Sequence, residues 1–398
     1  MKSWKQLFAL GVLGVALSSV AQVNVRPDVA KSLQGAQEAL QAKQPEIALK
    51  KIQEIRTSFQ LTEPEALLME RMSVVAALNA QQYPAAARSL DFLLQSSAVS
   101  TTDRLPLMET MVGVSVRLKD HAKVVQWARQ FIEQGGDRAR VQLPLVQTLA
   151  QMDRYSEVLQ EMFAQQKLDQ TTGRKPLEAE LRAYAFSQKK LKDDAGYLKT
   201  LQELVRLYPT QDYWADLLNT LGRKPGLSAR QQLDISRLME ETQTLEDADD
   251  YTDMAQFALK AGLPSEALRI LEKAQAQGAF AQPAQLAAAN KLKQQAQQRA
   301  LEDDKSLAAM AGKTNDSATL AQLADVAASK AQWAQAVDLY QQALQKGGLR
   351  REPEVRLHSG VALLRNAQPD LARVMFSSVK EDPLTEALAG LWLLRSGQ

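Results

Sequence analysis

The sequence predicts an all-α fold: an α-solenoid, a right-handed superhelix of about eight to ten helical hairpins spanning residues 22–398. Three observations predict it. Apolar residues recur at three- and four-residue spacing almost everywhere after residue 28, as in Leu68-Met72-Val75-Leu78, which is helix periodicity. Strict alternation of apolar and polar residues over six or more positions, the mark of a half-buried strand, is absent. Composition agrees, because aromatics make up 6% of 398 residues and Gly (18) and Pro (14) are sparse in an Ala/Leu/Gln-rich chain.

The first segment reads as an address. Lys2 and Lys5 precede an uncharged, mostly apolar run from Leu7 to Leu17, followed by Ser19-Val20-Ala21 with small residues at both recognition positions. That is the layout of a secretory signal peptide over residues 1–21, cleaved after Ala21, and it predicts a periplasmic protein starting at Gln22. The apolar run spans only about 16 Å as helix, short of the roughly 30 Å hydrocarbon core. The chain has no Cys, which excludes a lipoprotein anchor, disulfides, thiolate metal sites and thiol nucleophiles. Cleavage removes Lys2 and Lys5, taking 48 basic residues to 46 against 46 acidic ones. A neutral, exported chain argues against nucleic acid as a partner, since phosphate binding needs a basic excess.

The hairpins follow one template. A small residue in a first helix is followed twelve positions later by a small residue in a second, with apolar residues at +4 and +7. In chain order the instances are Ala36, Ala48, Ile52, Ile55; Val74, Ala86, Leu90, Leu93; Val112, Val124, Ala128, Phe131; and Val146, Val158, Met162. Ala255, Ala267, Leu271, Ala274, then Ala324, Ala336, Tyr340, Ala343, then Gly360, Ala372, Phe376, Val379 complete the series. Three residues before each second small position stands Pro45, Tyr83, His121, Tyr155, Pro264, Trp333 or Pro369, a turn former or ring that opens the second helix. Helices approach closely only where small residues face each other, and +4 and +7 stay on the same face. Between residues 194 and 258, Leu201, Leu204 and Tyr208-Pro209 close one unit, and Trp214-Leu217-Leu218-Leu221 and Tyr251-Met254-Ala255-Ala258 open the next two. Gln282 to Met310 reads as one longer polar helix, the first helix of a degenerate repeat, and Ala311–Ser317 as a loop and hinge.

This pattern resembles the tetratricopeptide repeat, about 34 residues of helix–turn–helix. The resemblance covers roughly residues 28–390, with closing prolines mostly missing. The second half is similar to a family of exported proteobacterial tetratricopeptide proteins. The residues that carry this are Trp214-Ala215-Asp216-Leu217-Leu218, Lys224-Pro225-Gly226-Leu227-Ser228, Asp234-Ile235-Ser236-Arg237-Leu238, Asp250-Tyr251-Thr252-Asp253-Met254-Ala255-Gln256, Gly262-Leu263-Pro264-Ser265-Glu266-Ala267 and Lys346-Gly347-Gly348-Leu349. Members often end in a Trp-containing helix, as Leu391-Trp392-Leu393 does here, and some are encoded beside the TonB-type system that energises outer-membrane uptake. The N-terminal half matches less well. The resemblance implies a periplasmic scaffold whose partners are other envelope proteins.

Motifs for chemistry are scarce. There is no GxxxxGK[ST], HExxH or GxSxG pattern, and Gly222-Arg223-Lys224-Pro225-Gly226 has the wrong spacing for a phosphate loop. His121 occupies the turn-ring position, and His358, beside Gly360 on a first helix, reads as a surface or inter-repeat residue. The acids Glu240-Glu241 and Glu246-Asp247-Asp249-Asp250 lack the Gly and closing Glu of a calcium loop and read as helix-start charges. Lys189-Lys190-x-Lys192 reads as a solvated loop. Trp127, Trp214, Trp333 and Trp392 are spaced as core residues. No catalytic, metal or cofactor site emerges, and no cofactor is implied. The remaining functional surface is a concave groove lined by first helices, where repeat phase places Asn219, Arg223, Gln256, Lys260, Asp325 and Arg365 for an extended peptide or partner helix. The sequence thus reads as a non-enzymatic protein–protein interaction scaffold of the envelope. Its alternatives are a scaffold of an export or polysaccharide assembly machine, and a glycan-cleaving enzyme working with two carboxylates about 5–9 Å apart.

Overall fold

The structure, a computed structural model, describes residues 25–310 and 316–397, with side chains for all of these but 303–310. The signal-peptide residues 1–21 and residues 311–315 of the expected hinge lie outside the described residues. Contacts divide the chain into two compact units, Met1–Thr200 and Leu201–Gln398.

The first unit contains α1 (Pro27–Gln41), α2 (Pro45–Ser58), α3 (Glu63–Asn79), α4 (Tyr83–Gln95), α5 (Thr101–Leu118), α6 (His121–Glu133), α7 (Arg138–Gln151), α8 (Tyr155–Thr172) and α9 (Glu178–Lys190). The division falls inside α10 (Asp194–Leu207). The second unit contains α11 (Gln211–Gly222), α12 (Ala229–Glu241), α13 (Ala248–Lys260), α14 (Pro264–Ala276) and α15 (Pro283–Met310). It continues with α16 (Ser317–Ser329), α17 (Trp333–Lys346), α18 (Glu352–Arg365), α19 (Pro369–Ser377) and α20 (Pro383–Ser396). Every regular element among the described residues is helical, so the all-α repeat architecture stands.

The hairpin turns share one construction. Pro45, Tyr83, His121, Tyr155, Pro264, Trp333 and Pro369 are each the first residue of a second helix. Two residues before each, the backbone turns left-handed: Lys43, Gln81, Lys119, Asp153, Gly262, Ala331 and Ala367 have φ between 56° and 80°. The next residue returns its N–H to the carbonyl five positions back, as Gln44 to Ala39, Asp120 to Ser115 and Gln368 to Leu363, each at 2.9 Å. This closure satisfies carbonyls that the helix end would leave orphaned. Only one of the seven left-handed residues is Gly, so six turns bear the Cβ strain that Gly262 avoids.

The template residues form the seams. Ala36, Ala48, Ala86, Ala255, Ala267, Ala324, Ala336 and Ala372 are all fully buried. Val74, Val112, Val124, Val146 and Val158 fill the wider crossings. At Gly360 a Cβ would stand 2.5 Å from Phe376 Cε1, so the ring itself demands the missing side chain. Phe376 in turn stacks on Trp392, with centroids 6.0 Å apart.

Helix α15 runs for 28 residues, from Pro283 to Met310. It packs on α13 and α14 through Ala289 and Ala296. Among the described residues it has no second helix of its own; α16 opens a fresh hairpin after it. Asp316 caps that hairpin by accepting the Thr319 N–H at 3.0 Å. The acidic run near residue 247 caps too, with Asp247 accepting from the N–H groups of Asp249 and Asp250. The second unit then folds back on itself, because α12 packs against α20.

Candidate functional site

Helix α12 carries Arg230, Asp234 and Arg237, spaced four and three apart and therefore on one face. That face meets three later hairpins. Arg230 Nη1 donates to Asp325 Oδ2 of α16 at 3.0 Å. Asp325 Oδ1 accepts from the Tyr340 hydroxyl of α17 at 2.7 Å and lies 3.0 Å from His358 Nδ1 of α18. His358 Nε2 lies 2.9 Å from Asp234 Oδ1. Asp234 Oδ1 also accepts from Arg237 Nη1 at 2.7 Å, and Arg237 forks onto Glu266 of α14 at 2.9 and 2.7 Å.

Each ring nitrogen of His358 faces a carboxylate, so both must carry protons and the ring is an imidazolium. Burial opposes that charge, but Asp234 and Asp325 outweigh it and push the His358 pKa up to about 10. The reverse holds for the acids. Burial would raise Asp234 and Asp325, yet the His358 charge holds both below the usual carboxylate range. Burial likewise works against Glu266, and Arg237 more than offsets it. Burial and the Asp325 carboxylate push the Tyr340 hydroxyl well up, so it stays a donor. The result is a charge-balanced cluster: Arg230, Arg237 and His358 against Asp234, Asp325 and Glu266.

This chemistry is that of a clamp. A general base needs a free lone pair near neutral pH, and His358 has neither nitrogen available. The Arg237 Nη1 to His358 Nε2 approach of 3.4 Å is a contact between two cations, tolerated because Asp234 Oδ1 bonds both.

The residues read from the sequence separate into three places. Asn219 and Arg223 are exposed on and just after α11. Gln256 and Lys260 line an open groove of about 710 Å³ between α13 and α15, together with Lys291 and Arg299. Asp325 departs from the expected solvent-facing wall: it is 9% exposed, because α12 covers it and Arg230, Tyr340 and His358 occupy its oxygens. Arg365 is exposed and pairs with Glu241 at 2.7 Å. His358 is an inter-repeat residue rather than a surface one, at 7% exposure. Sequence reasoning passed over Arg230, Arg237 and Glu266. The four-and-three spacing of the α12 charges was the available signal, but a charged stripe ordinarily marks a solvated face.

Beside the clamp lies a cavity of about 270 Å³, walled by Arg237, Arg269, Lys273, Trp333, Arg365 and Trp392 among others. Lys273 is paired with Glu240 at 2.7 Å.

No protein-family model matches the sequence. A search of curated proteins gives no match either. Among solved structures, the chain aligns with the P58(IPK) TPR domain at 11% identity, covering 93% of this chain and 99% of that one, with a TM-score of 0.26. It aligns with the APC/C hetero-tetramer Cut9-Hcn1 at 13% identity, covering 92% and 90%, with a TM-score of 0.23. Yeast Tom70 aligns at 9% identity over 93% and 96%, with a TM-score of 0.22. At such scores the repeat assignment rests on this chain's own seams and turns.

Proposed function

We propose that this chain is an exported, periplasmic tetratricopeptide-like scaffold that binds an acidic segment of another envelope protein and serves TonB-type outer-membrane uptake. The observation that carries the binding role is the α13–α15 groove. Gln256, Lys260, Lys291 and Arg299 are exposed along it, and Asp249 is its one acidic wall residue. A groove with surplus positive charge favours an acidic partner and steers its approach. The N-terminal layout of basic residues, apolar run and Ser19-Val20-Ala21 supports export. The uptake role rests on the resemblance of the second half alone.

The test is crosslinking in intact cells with the full chain and with a Lys260→Glu/Lys291→Glu variant. The melting temperature should hold, because exposed substitutions move stability by less than about 0.5 kcal/mol. The crosslinked partner should be lost, and the mature wild-type chain should begin at Gln22 in the periplasmic fraction. Retention of the same partner by the variant would place binding elsewhere, and recovery of Met1 would remove the export reading. Normal growth of a deletion strain on scarce iron would detach the scaffold from energised uptake.

A further inference from the structure

We propose that the 270 Å³ cavity of the second unit is a binding site for a small organic oxyanion, a carboxylate or phosphate carried on an apolar or aromatic frame. It is distinct from the α13–α15 groove and does not depend on the scaffold reading.

Around the cavity almost every cation already has its own anion. Arg237 and His358 belong to the balanced clamp, Lys273 is matched by Glu240, and Arg365 by Glu241. Arg269 is the surplus. Its nearest carboxylate oxygen, Glu266 Oε1, is 3.7 Å away and already accepts from Arg237 Nε at 2.9 Å. The Arg269 Nε is buried and has no hydrogen-bond partner. A buried donor without an acceptor is costly, so the Arg269 Nε at the cavity wall calls for one.

The rest of the wall defines the ligand's other half. Trp333 and Val361 give partly exposed apolar surface next to the cations, backed by the buried Tyr340, Ala362 and Trp392. Volume sets the size, since 270 Å³ lies just below the roughly 300–1,000 Å³ of pockets for drug-sized ligands. An inorganic ion would leave the aromatic wall unused. An apolar molecule would leave the Arg269 Nε without an acceptor.

The experiment titrates the full chain with benzoate, phenyl phosphate and inorganic phosphate, reading heat by calorimetry and Trp fluorescence, since Trp333 and Trp392 line the cavity. The aromatic probes should bind saturably and perturb the fluorescence, and inorganic phosphate should bind more weakly than phenyl phosphate. Tighter benzoate assigns the carboxylate headgroup, tighter phenyl phosphate the phosphate. Arg269→Gln should weaken the better probe by about tenfold or more, as expected for a lost charge-assisted hydrogen bond. Arg269→Lys should restore part of it, and both variants should keep the wild-type circular dichroism spectrum. If Arg269→Gln misfolds, Val361→Trp, which fills the cavity from the partly exposed face of another helix, serves instead and should abolish binding. Absence of saturable binding by every probe at millimolar concentration, or equal binding by wild type and the folded variants, overturns the proposal.

Discussion

The two units spend their buried charges differently. In the first, polar contacts join neighbours in the chain. Glu161 accepts from Arg129 and Arg138, 32 and 23 residues away, and Gln142 reaches Tyr184 across 42 residues. In the second, Arg230 reaches Asp325 across 95 residues and Asp234 meets His358 across 124. A solenoid with only neighbour contacts has a stability that is nearly a sum of local terms. Contacts that skip several hairpins instead tie distant helices to one another. The lesson is that one repeat grammar yields a row of neighbours in the first unit and a closed, cooperative body in the second.

The largest effect is expected at the clamp. Asp234→Ala leaves His358 and Arg237 as buried cations short of an anion and should cost the second unit about 3–5 kcal/mol. Protection from hydrogen exchange should fall together in α12, α16, α18 and α20 while α1–α9 keep theirs. Glu161→Ala is the matched variant in the first unit. Its partners Arg129 and Arg138 are 34% and 17% exposed, so water can replace the lost carboxylate, and the cost should be roughly 1–2 kcal/mol, confined to α6–α9.

Alkaline pH sharpens the same contrast. His358 is raised from 6.5 to about 10 in the folded chain, so its contribution is complete below pH 6.5 and is lost as pH rises through 10. Tyr340, raised further, keeps its proton through that window. The second unit should therefore lose several kcal/mol between about pH 6.5 and 10. Urea melts followed by hydrogen exchange across that range should show the slope in the second unit, and His358→Gln should flatten it. Acid acts on both units: Glu157 in the first, held at about 2 by Arg154 and Arg129, and Asp234, Asp325 and Glu266 in the second, held below the usual carboxylate range, contribute stability that is lost as pH falls through their folded values.

Smaller effects test the shared grammar. Ala267→Leu and Ala336→Leu overpack fully buried seams and should each cost about 1–3 kcal/mol. Ala331→Gly and Ala367→Gly relieve left-handed Cβ strain and should each raise stability by under about 1 kcal/mol. Chemical denaturation of the four variants would check both signs.

Local rules carried the sequence reading far. The twelve-residue spacing located seams because close helix crossings admit only small residues; Pro45 marked a helix start because its fixed φ suits the first helical position, and Trp333 because a ring recurs at that phase of the repeat. The left-handed residues were not legible: Lys43, Gln81 and Ala367 are poor choices for that backbone and are imposed by hairpin closure. The clamp was illegible for a different reason. Periodicity places Asp234 beside Arg237, but nothing local tells that α12 will face His358 rather than water. Asp325 was assigned to an open groove because repeat phase describes a solenoid that stays open, and the second unit does not.

The most direct test of the clamp is the protonation state of His358. The chain has two histidines, so nitrogen-detected NMR of the full protein, assigned with His358→Gln, isolates the ring. At pH 8 His358 should show two protected ring N–H resonances and imidazolium nitrogen shifts, both lost in Asp234→Ala. A ring that titrates near 6.5 with one exchangeable N–H would contradict the clamp and, with it, the closure of the second unit.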